Sequence, residues 1–161
     1  YGPQSKAGEF VYDRPFLWGS KRTGPDLLRV GGKYNDNWHF NHMWDPQSTS
    51  SGSIMPGYKW LMKDKLDISN IEDKMRVMQT LGVPYTEAEI LNAKNHIKEQ
   101  SEQIAQNLNS DPDYVKSYEN SKKNAQANGS EFIPMQEREI VAMIAYIQRL
   151  GTDIKVKDNA K

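Results

Sequence analysis

The sequence predicts a mainly α-helical fold, and two kinds of local pattern support this. Over residues 136–150 the apolar side chains recur three and four positions apart, as on the buried face of a helix. At positions 69–72 and 86–89 a Ser or Thr is followed three residues later by Glu. In such a capping box the two side chains bind backbone N–H groups that the first helical turn leaves unpaired.

The 161-residue chain carries 21 Lys and Arg against 21 Asp and Glu, so its formal net charge is zero. It lacks the basic excess of a nucleic-acid-binding domain, and we expect no nucleic-acid partner. The longest apolar run covers only residues 140–147, whereas a membrane span needs about 20 residues. The chain has no Cys, which excludes disulfides and thiolate metal sites. Because it begins with Tyr rather than Met, we expect either a processed chain or a fragment excised from a longer protein, and we favour the fragment.

The elements of the first fifty residues are predicted from aromatic, Gly and Pro positions. Residues 10–12 favour a short strand, followed by extended chain up to Pro15, because the residue before a proline avoids the helical region. Residues 19–33 are predicted to form a loop, since Gly and Pro interrupt them repeatedly. A short helix is predicted over 37–44, between an Asn-Asp cap and an Asp-Pro stop.

Four helices are predicted in the remainder of the chain. They cover residues 71–82, 87–108, a short stretch from Pro112, and 136–150. The helix over 87–108 has only a thin apolar stripe, which predicts packing at an edge or a protruding hairpin rather than a core helix. The polar, Asn/Lys-rich residues 120–130 are predicted to form a mobile loop.

The segment Met55-Pro56-Gly57-Tyr58 closes a Ser/Gly-rich loop and carries a side chain suited to metal binding. A Met thioether is a neutral, soft ligand that favours reduced haem iron when it occupies an axial position. Pro56 restricts the backbone on both sides of the peptide bond, which stiffens a loop whose thioether–iron bond would be weak. Taken alone, a Met in a turn is more often a residue that fills the core.

A second segment, Gly24-Pro25, suits the opposite side of such a metal site. A Pro carbonyl can accept the free ring N–H of a histidine ligand and orient that ligand. In isolation, however, the same dipeptide marks an ordinary turn. The order of the motifs along the chain therefore has to decide between these interpretations.

The three histidines give no strong metal signature. His39 and His42 are three residues apart on a predicted helix and could share one ion, but no Cys or third His lies nearby in the sequence. A hydrogen-bonded core histidine beside Trp38 is the better interpretation of His42, and His96 on a polar helix is predicted to be solvated. We find no nucleophile–His–acid arrangement and no phosphate-binding loop.

Several motifs follow one another in a characteristic order. They are Phe16-Leu17-Trp18, Arg22-Thr23-Gly24-Pro25-Asp26-Leu27, Trp38-His39-x-x-His42, Met55-Pro56-Gly57-Tyr58-x-Trp60-Leu61 and Leu81-Gly82-Val83-Pro84-Tyr85-Thr86. This series resembles class I cytochromes c and, more narrowly, the mono-haem subunit II of cbb3-type cytochrome c oxidases, over about residues 5–98 and 132–151. The predicted fold is then a truncated class I cytochrome c-like domain with a helical insertion. The family's Cys-x-x-Cys-His haem-attachment segment has no counterpart in this sequence.

The resemblance implies haem c as the cofactor of the intact protein, and a fragment that by itself holds no haem. Met55 would be the axial ligand of the haem iron, and the Pro25 carbonyl would accept a hydrogen bond from the histidine ligand on the other side. The full set of cofactor-binding candidates is Met55, Gly24, Pro25, Arg22, Tyr34, Trp38, Pro56 and Tyr58. Within this set Arg22, Tyr34 and Trp38 match positions near the haem propionates.

The resemblance also implies an organisation and a location. Residues 1–61 and 132–151 would form the cytochrome c-like domain, 62–131 the helical insertion and 152–161 a C-terminal tail. The domain would relay electrons to the oxygen-reducing subunit on the periplasmic side of the bacterial inner membrane, attached only through an upstream anchor. Its partners would be the catalytic and other subunits of the oxidase.

The absence of the attachment segment predicts exposed apolar surface around Phe16, Trp18, Leu27 and Met55. Patches of this kind tend to pair, so a homodimer of the fragment is expected. One alternative function is a non-haem helical docking module, carried by the polar helices of 62–131. A further alternative is a sugar-binding surface, whose aromatic residues would be Trp18, Trp38, Trp44 and Tyr58.

Overall fold

The computed structural model describes residues 6–12, 27 and 29–152. Within these ranges the chain forms seven α-helices and no named strand, which confirms the mainly α fold. The helices are α1 (Asp36–Trp44), α2 (Pro46–Thr49), α3 (Ile71–Thr80), α4 (Glu87–Leu91), α5 (Ala93–Leu108), α6 (Pro112–Ala127) and α7 (Glu139–Arg149). Three short 3-10 turns cover Ala7–Phe10, Lys59–Met62 and Met135–Glu137. Among the described residues, no helix is both long enough and apolar enough to span a membrane.

The described residues divide into two compact units. The first comprises the described parts of Tyr1–Gly32, Asp67–Ile97 and Ile147–Lys161. The second comprises Lys33–Leu66 and Lys98–Tyr146. The predicted boundaries at 61, 131 and 151 remain a prediction.

The predicted helix over 37–44 is confirmed as α1, and its ends have clear causes. Asn35 caps the start, because its side-chain oxygen accepts a hydrogen bond from the Trp38 N–H at 2.8 Å. Asp45 adopts extended geometry and stops the helix. The Asp45 carboxylate then caps α2 through the Gln47 N–H at 3.2 Å, with Pro46 in the first helical position.

One of the two predicted capping boxes forms, and the other does not. The Thr86 hydroxyl accepts from the Glu89 N–H at 3.3 Å, and the Glu89 carboxylate accepts from the Thr86 N–H at 2.8 Å. The box predicted at Ser69 is wrong, because α3 begins one residue later with Asn70 as its N-cap. The Ser69 N–H instead donates to the Asp67 carboxylate at 2.9 Å, so a local turn takes the group that the box would have used.

The strand predicted at residues 10–12 is wrong. The chain forms a 3-10 turn over Ala7–Phe10, and the Glu9 carboxylate accepts from the Lys6 N–H at 3.3 Å. Arg29 binds the same carboxylate at 3.0 Å, and the Phe10 side chain is buried. These local contacts outweigh the weak strand preference of a short aromatic stretch. The extended chain predicted up to Pro15 lies outside the described residues.

Two other helix predictions require correction. The helix expected over 87–108 is two helices, α4 and α5, which meet at Asn92. The mobile loop expected over 120–130 is also wrong, because α6 continues to Ala127 and only then ends near Gly129, whose φ is +64°. Once a helix has formed, each added residue contributes one more backbone hydrogen bond, so a polar sequence can extend it.

The core of the second unit joins helices from distant parts of the chain. Its buried cluster consists of Leu61, Met62, Ile104, Leu108, Tyr114, Met135, Ile140, Val141 and Ile144. Leu108, Ile140 and Ile144 have no exposed surface at all. The C-terminal half of α5 is therefore a core helix, contrary to the edge or hairpin packing predicted from its thin stripe.

Candidate functional site

The Met55 loop, residues 50–58, is tied to the neighbouring helices α1 and α2. The Gln47 side chain donates to the Ser53 carbonyl at 3.2 Å, and the Ser53 hydroxyl accepts from the Met55 N–H at 3.2 Å. At the far end of the loop the Tyr58 N–H donates to the Met43 carbonyl of α1 at 2.7 Å. Met55 thus sits in a loop fixed on both sides, as a weak thioether ligand requires.

Glycine is needed at Gly57 because the loop passes very close to the end of α1. A Cβ at this position would lie 2.6 Å from the Trp44 carbonyl oxygen, well inside contact distance. Gly52 adopts a φ of +77°, a left-handed conformation that side chains other than glycine rarely take. The two glycines therefore shape the loop in which Met55 is held.

Residues on either side of Met55 differ sharply in exposure. Met55 itself is half-buried, whereas the preceding Ile54 is 84% exposed and Pro56 is exposed. Tyr58 is half-buried and meets the half-exposed Trp60 edge to face, with ring centroids 5.1 Å apart. The loop consequently brings the Met55 segment to the molecular surface.

A ring stack is formed by Trp38 and His42 of α1 and by Tyr34, which lies just before the helix. Tyr34 lies parallel to Trp38 with centroids 3.9 Å apart, and His42 lies parallel to Trp38 at 4.6 Å. Nδ1 of His42 and the Thr49 hydroxyl are 2.5 Å apart, and burial lowers the pKa of the His42 imidazole. The interpretation of His42 as a hydrogen-bonded histidine beside Trp38 is confirmed, although its side chain is only half-buried. Trp38 and His42 are four residues apart and are therefore neighbours on α1, whereas Tyr34 lies just before the Asn35 cap and stacks on Trp38 from outside the helix.

His39 is the most deeply buried histidine, with only 2% of its surface exposed. Its ring stands edge-on to Trp38 at 5.4 Å and to Tyr34 at 6.0 Å. Its Nε2 atom is buried and has no hydrogen-bond partner among the described residues. Burial lowers the pKa of His39, the Asp36 carboxylate opposes this, and His42 adds to the lowering. The imidazole is thus neutral at pH 7. Its Nε2 is a buried polar atom of the kind that is normally hydrogen-bonded.

Sequence reasoning missed the burial of His39, although a signal was present. Positions 36, 39, 40 and 43 follow helical spacing and share one face of α1. Phe40 and Met43 on this face pack against the core cluster. The same pattern places Asp36 and His39 inside, and both are buried.

The turn after α5 braces the start of α1. Nδ2 of Asn107 donates to the Asp36 carboxylate at 2.8 Å, and Nδ2 of Asn37 donates to the Ser110 hydroxyl at 3.0 Å. Phe40 also meets Tyr114 of α6 edge to face at 5.3 Å. The predicted insertion therefore supports the helix that carries the ring stack.

The structure places five of the eight predicted site residues. Tyr34 and Trp38 are brought together in the ring stack, and Met55, Pro56 and Tyr58 lie in the loop tied to the same helix, α1. The other three, Arg22, Gly24 and Pro25, lie outside the described residues. Among the described residues, no three His, Cys, Asp or Glu side chains form a group that could hold a metal ion.

A comparison with protein families gives one match that spans nearly the whole chain. The family described as cytochrome c oxidase, mono-heme subunit/FixO, matches residues 1–154. The chain belongs to this family. The mono-haem oxidase subunit predicted from the motifs is thereby confirmed at the level of the family. A comparison with curated proteins gave no match.

As a member of the mono-haem oxidase subunit family, the intact protein carries a haem and is part of a membrane-associated complex. The described residues fit one side of a haem site. Met55 offers a thioether on a fixed loop, and His39 holds an unpaired ring nitrogen beside Tyr34 and Trp38. The sequence contains no Cys, so this stretch of the subunit supplies no thioether attachment for haem.

Proposed function

We propose that this chain is the Met-ligand part of the haem c electron-transfer domain of a cbb3-type cytochrome c oxidase subunit II. The domain works on the periplasmic side of the bacterial inner membrane and passes electrons toward the oxygen-reducing subunit. The observation that carries the proposal is the Met55 loop, which two hydrogen bonds fix to α1 and α2, a third bond braces internally, and Ile54 brings to the surface. When bound, the haem supplies a one-electron iron couple.

The chain's own residues hold and tune this group. Met55 would hold the iron through its thioether, a ligand that favours the reduced state and raises the reduction potential. Tyr34 and Trp38 would lie near the haem propionates, with the buried His39 ring edge-on to both. Arg22 would assist at the propionates, and the Pro25 carbonyl, next to Gly24, would accept the ring N–H of a histidine ligand. Such outer contacts orient the ligands of a metal site and tune the metal.

The proposal is tested on the complete subunit, produced with its haem in a host that attaches haem c. Met55→Ala should abolish the low-spin Met-ligated spectrum and lower the reduction potential, because the iron loses a ligand that favours its reduced state. Met78→Ala, a half-buried methionine on α3, is the matched control and should change neither property. An unchanged spectrum and potential in Met55→Ala would exclude Met55 as the ligand.

The 161-residue chain alone gives a complementary test. Without Cys it cannot form the thioether bonds of haem c, so the purified chain should show no covalently bound haem in denaturing gels. A covalent haem signal from this chain would contradict the proposed division of roles between Met55 and an attachment segment outside residues 1–161.

A docking role for residues 62–131 is the second candidate function. The observation in its favour is the polar exposed surface of α6, where Lys122 and Lys123 are exposed. Deleting the whole insertion would not test it, because Ile104, Leu108 and Tyr114 belong to the core. Charge reversal of Lys122 and Lys123 removes the surface without removing the core. Loss of binding to the other oxidase subunits, with the haem spectrum intact, would support docking; unchanged binding would count against it.

Two further expectations can be weighed against the geometry. The sugar-binding surface is disfavoured, since Tyr34 and His42 both stack on Trp38 and Lys59 lies over the Trp44 ring. The homodimer remains a proposal. Light scattering on the purified chain decides it, and a monomer at all concentrations would rule it out.

A further inference from the structure

A small cleft lies in the second unit, between the end of α6, the segment before α7 and the chain after the Lys59–Met62 turn. Its volume is about 150 Å³. The residues that line it are Met62, Lys63, Ser121, Ala125, Glu131, Phe132, Ile133 and Arg138. None of these residues belongs to the proposed haem site.

Arg138 is the dominant charge in the cleft. Its side chain is half-buried, with Nε donating to the Ile133 carbonyl at 2.9 Å and one terminal nitrogen donating to the Met62 carbonyl at 2.8 Å. The guanidinium also lies over the rings of Tyr118 and Phe132, at 5.7 and 5.6 Å from their centroids. A guanidinium has five N–H donors, so about three are left after these two bonds.

The charge of Arg138 is not neutralised by the described residues. None of their carboxylates forms a salt bridge with it. Burial lowers the pKa of Arg138, and Tyr118 and Tyr114 oppose this lowering. Half-buried charges of this kind are usually paired, and guanidinium pairs best with a planar oxyanion.

The other lining groups indicate which kind of molecule would carry the oxyanion. Lys63 adds a second cation at the exposed rim and Ser121 a hydroxyl, against one carboxylate, that of Glu131. Met62 and Ala125 provide apolar walls. The cleft therefore suits a carboxylate that carries a short apolar stem.

We propose that this cleft binds a short-chain carboxylate, either as a free organic acid or as the acidic side chain of another protein. The carboxylate takes the remaining N–H donors of Arg138, with Lys63 at the rim. Both occupants present a carboxylate on a short apolar stem. In the free acid the stem ends there, whereas in a protein side chain it continues into a peptide backbone. A purely structural role of Arg138, joining the Met62 and Ile133 segments, would instead leave the cleft empty.

The test is a titration of the 161-residue chain with butyrate, followed by two-dimensional NMR. Butyramide, which has the same shape without the charge, serves as the control ligand. Butyrate should give saturable shifts at the lining residues, and butyramide should give none. Equal effects of the two compounds, or shifts confined to other parts of the chain, would overturn the proposal.

Variants of Lys63 and Glu131 then test the charges at the cleft while Arg138 keeps its two hydrogen bonds to the backbone. Lys63→Met should weaken butyrate binding about threefold, and Glu131→Gln should strengthen it by a similar factor, as expected for exposed charges. Lys123→Met changes the net charge equally but lies outside the cleft, so it should have no effect. If all three variants bind butyrate alike, the cleft is not the site.

A blocked glutamate, acetylated and amidated, separates the two sources. Binding at least as tight as that of butyrate indicates an acidic side chain of a protein as the occupant. Weaker binding indicates a free acid. Neither result depends on haem, so this proposal can fail while the proposed function stands.

Discussion

Asn107 and Asp36 are joined by a hydrogen bond of 2.8 Å, which links the end of α5 to the first turn of α1. Asp36 is 8% exposed, so its carboxylate depends on partners inside the protein. Since α1 carries Trp38 and His42 and anchors the Met55 loop, this contact supports the proposed haem site from a distance.

Replacing Asn107 should therefore destabilise the protein. We expect Asn107→Ala to lower the free energy of unfolding by about 1–3 kcal/mol, the cost of a lost hydrogen bond to a buried charged group. Urea unfolding followed by circular dichroism measures it. Gln106→Ala, at an exposed neighbouring position, should change the value by less than about 0.5 kcal/mol. Equal effects of the two substitutions would show that the Asp36 contact contributes nothing.

Leu108 tests whether the insertion is part of the core. Its side chain has no exposed surface, and truncation leaves a cavity beside the α7 residues. Leu108→Ala should cost about 2–5 kcal/mol in the free energy of unfolding. Leu91→Ala is the control, because Leu91 is 63% exposed and should lose far less. A small effect at Leu108 would mean that α5 is separable from the rest of the second unit.

Gly57 tests the shape of the Met55 loop. The Cβ of Gly57→Ala would lie 2.6 Å from the Trp44 carbonyl, so the loop must shift. We expect a loss of about 1–3 kcal/mol in stability and, in the haem-containing subunit, a weakened Met-ligand spectrum. Gly8→Ala, where no atom lies within 4 Å of the new Cβ, is the control. A normal spectrum in Gly57→Ala would show that ligation by Met55 does not depend on this loop conformation.

Stability should depend on pH through the histidines of α1. The pKa values of His39 and His42 are lowered in the folded state, chiefly by burial, so below the ordinary value of about 6.5 the unfolded chain binds more protons. The free energy of unfolding is then highest above that pH and falls as the pH decreases through it. Each histidine adds at most about 1.4 kcal/mol per pH unit.

Substitution of His39 isolates its share of this slope. His39→Leu should make stability less dependent on pH between about pH 7 and 5, where carboxylates contribute little. His96→Leu, at an exposed position, should retain the full dependence. Chemical unfolding at several pH values provides the measurement, and a slope in His39→Leu identical to that of the unchanged protein would contradict the assignment.

The sequence predicted the helices wherever the chain carries a strong local signal. The Asn35 cap, the Thr86 box and the Pro112 start all appear in the structure. The capping box predicted at Ser69 was wrong because the Asp67 carboxylate accepts the Ser69 N–H instead. The prediction that α5 packs at an edge or in a hairpin was wrong, because a thin apolar stripe does not reveal which of its residues contact a distant helix.

The candidate site was predictable in part for the same reason. Met55 stands out through its motif, and Tyr34 and Trp38 through the resemblance to the family. The bonds that fix the loop, such as Gln47 to Ser53, join groups with no characteristic spacing. The orphaned nitrogen of His39 depends on burial by surrounding elements, which no local pattern encodes.

The fork of hydrogen bonds at Arg138 determines which changes the position tolerates. Two separate N–H groups of one planar side chain bind carbonyls of two chain segments at the same time. A lysine keeps the charge but offers a single ammonium, which cannot reproduce both directions. Natural or engineered variants with Lys at this position should thus be treated as loss-of-structure changes, even though the charge is preserved.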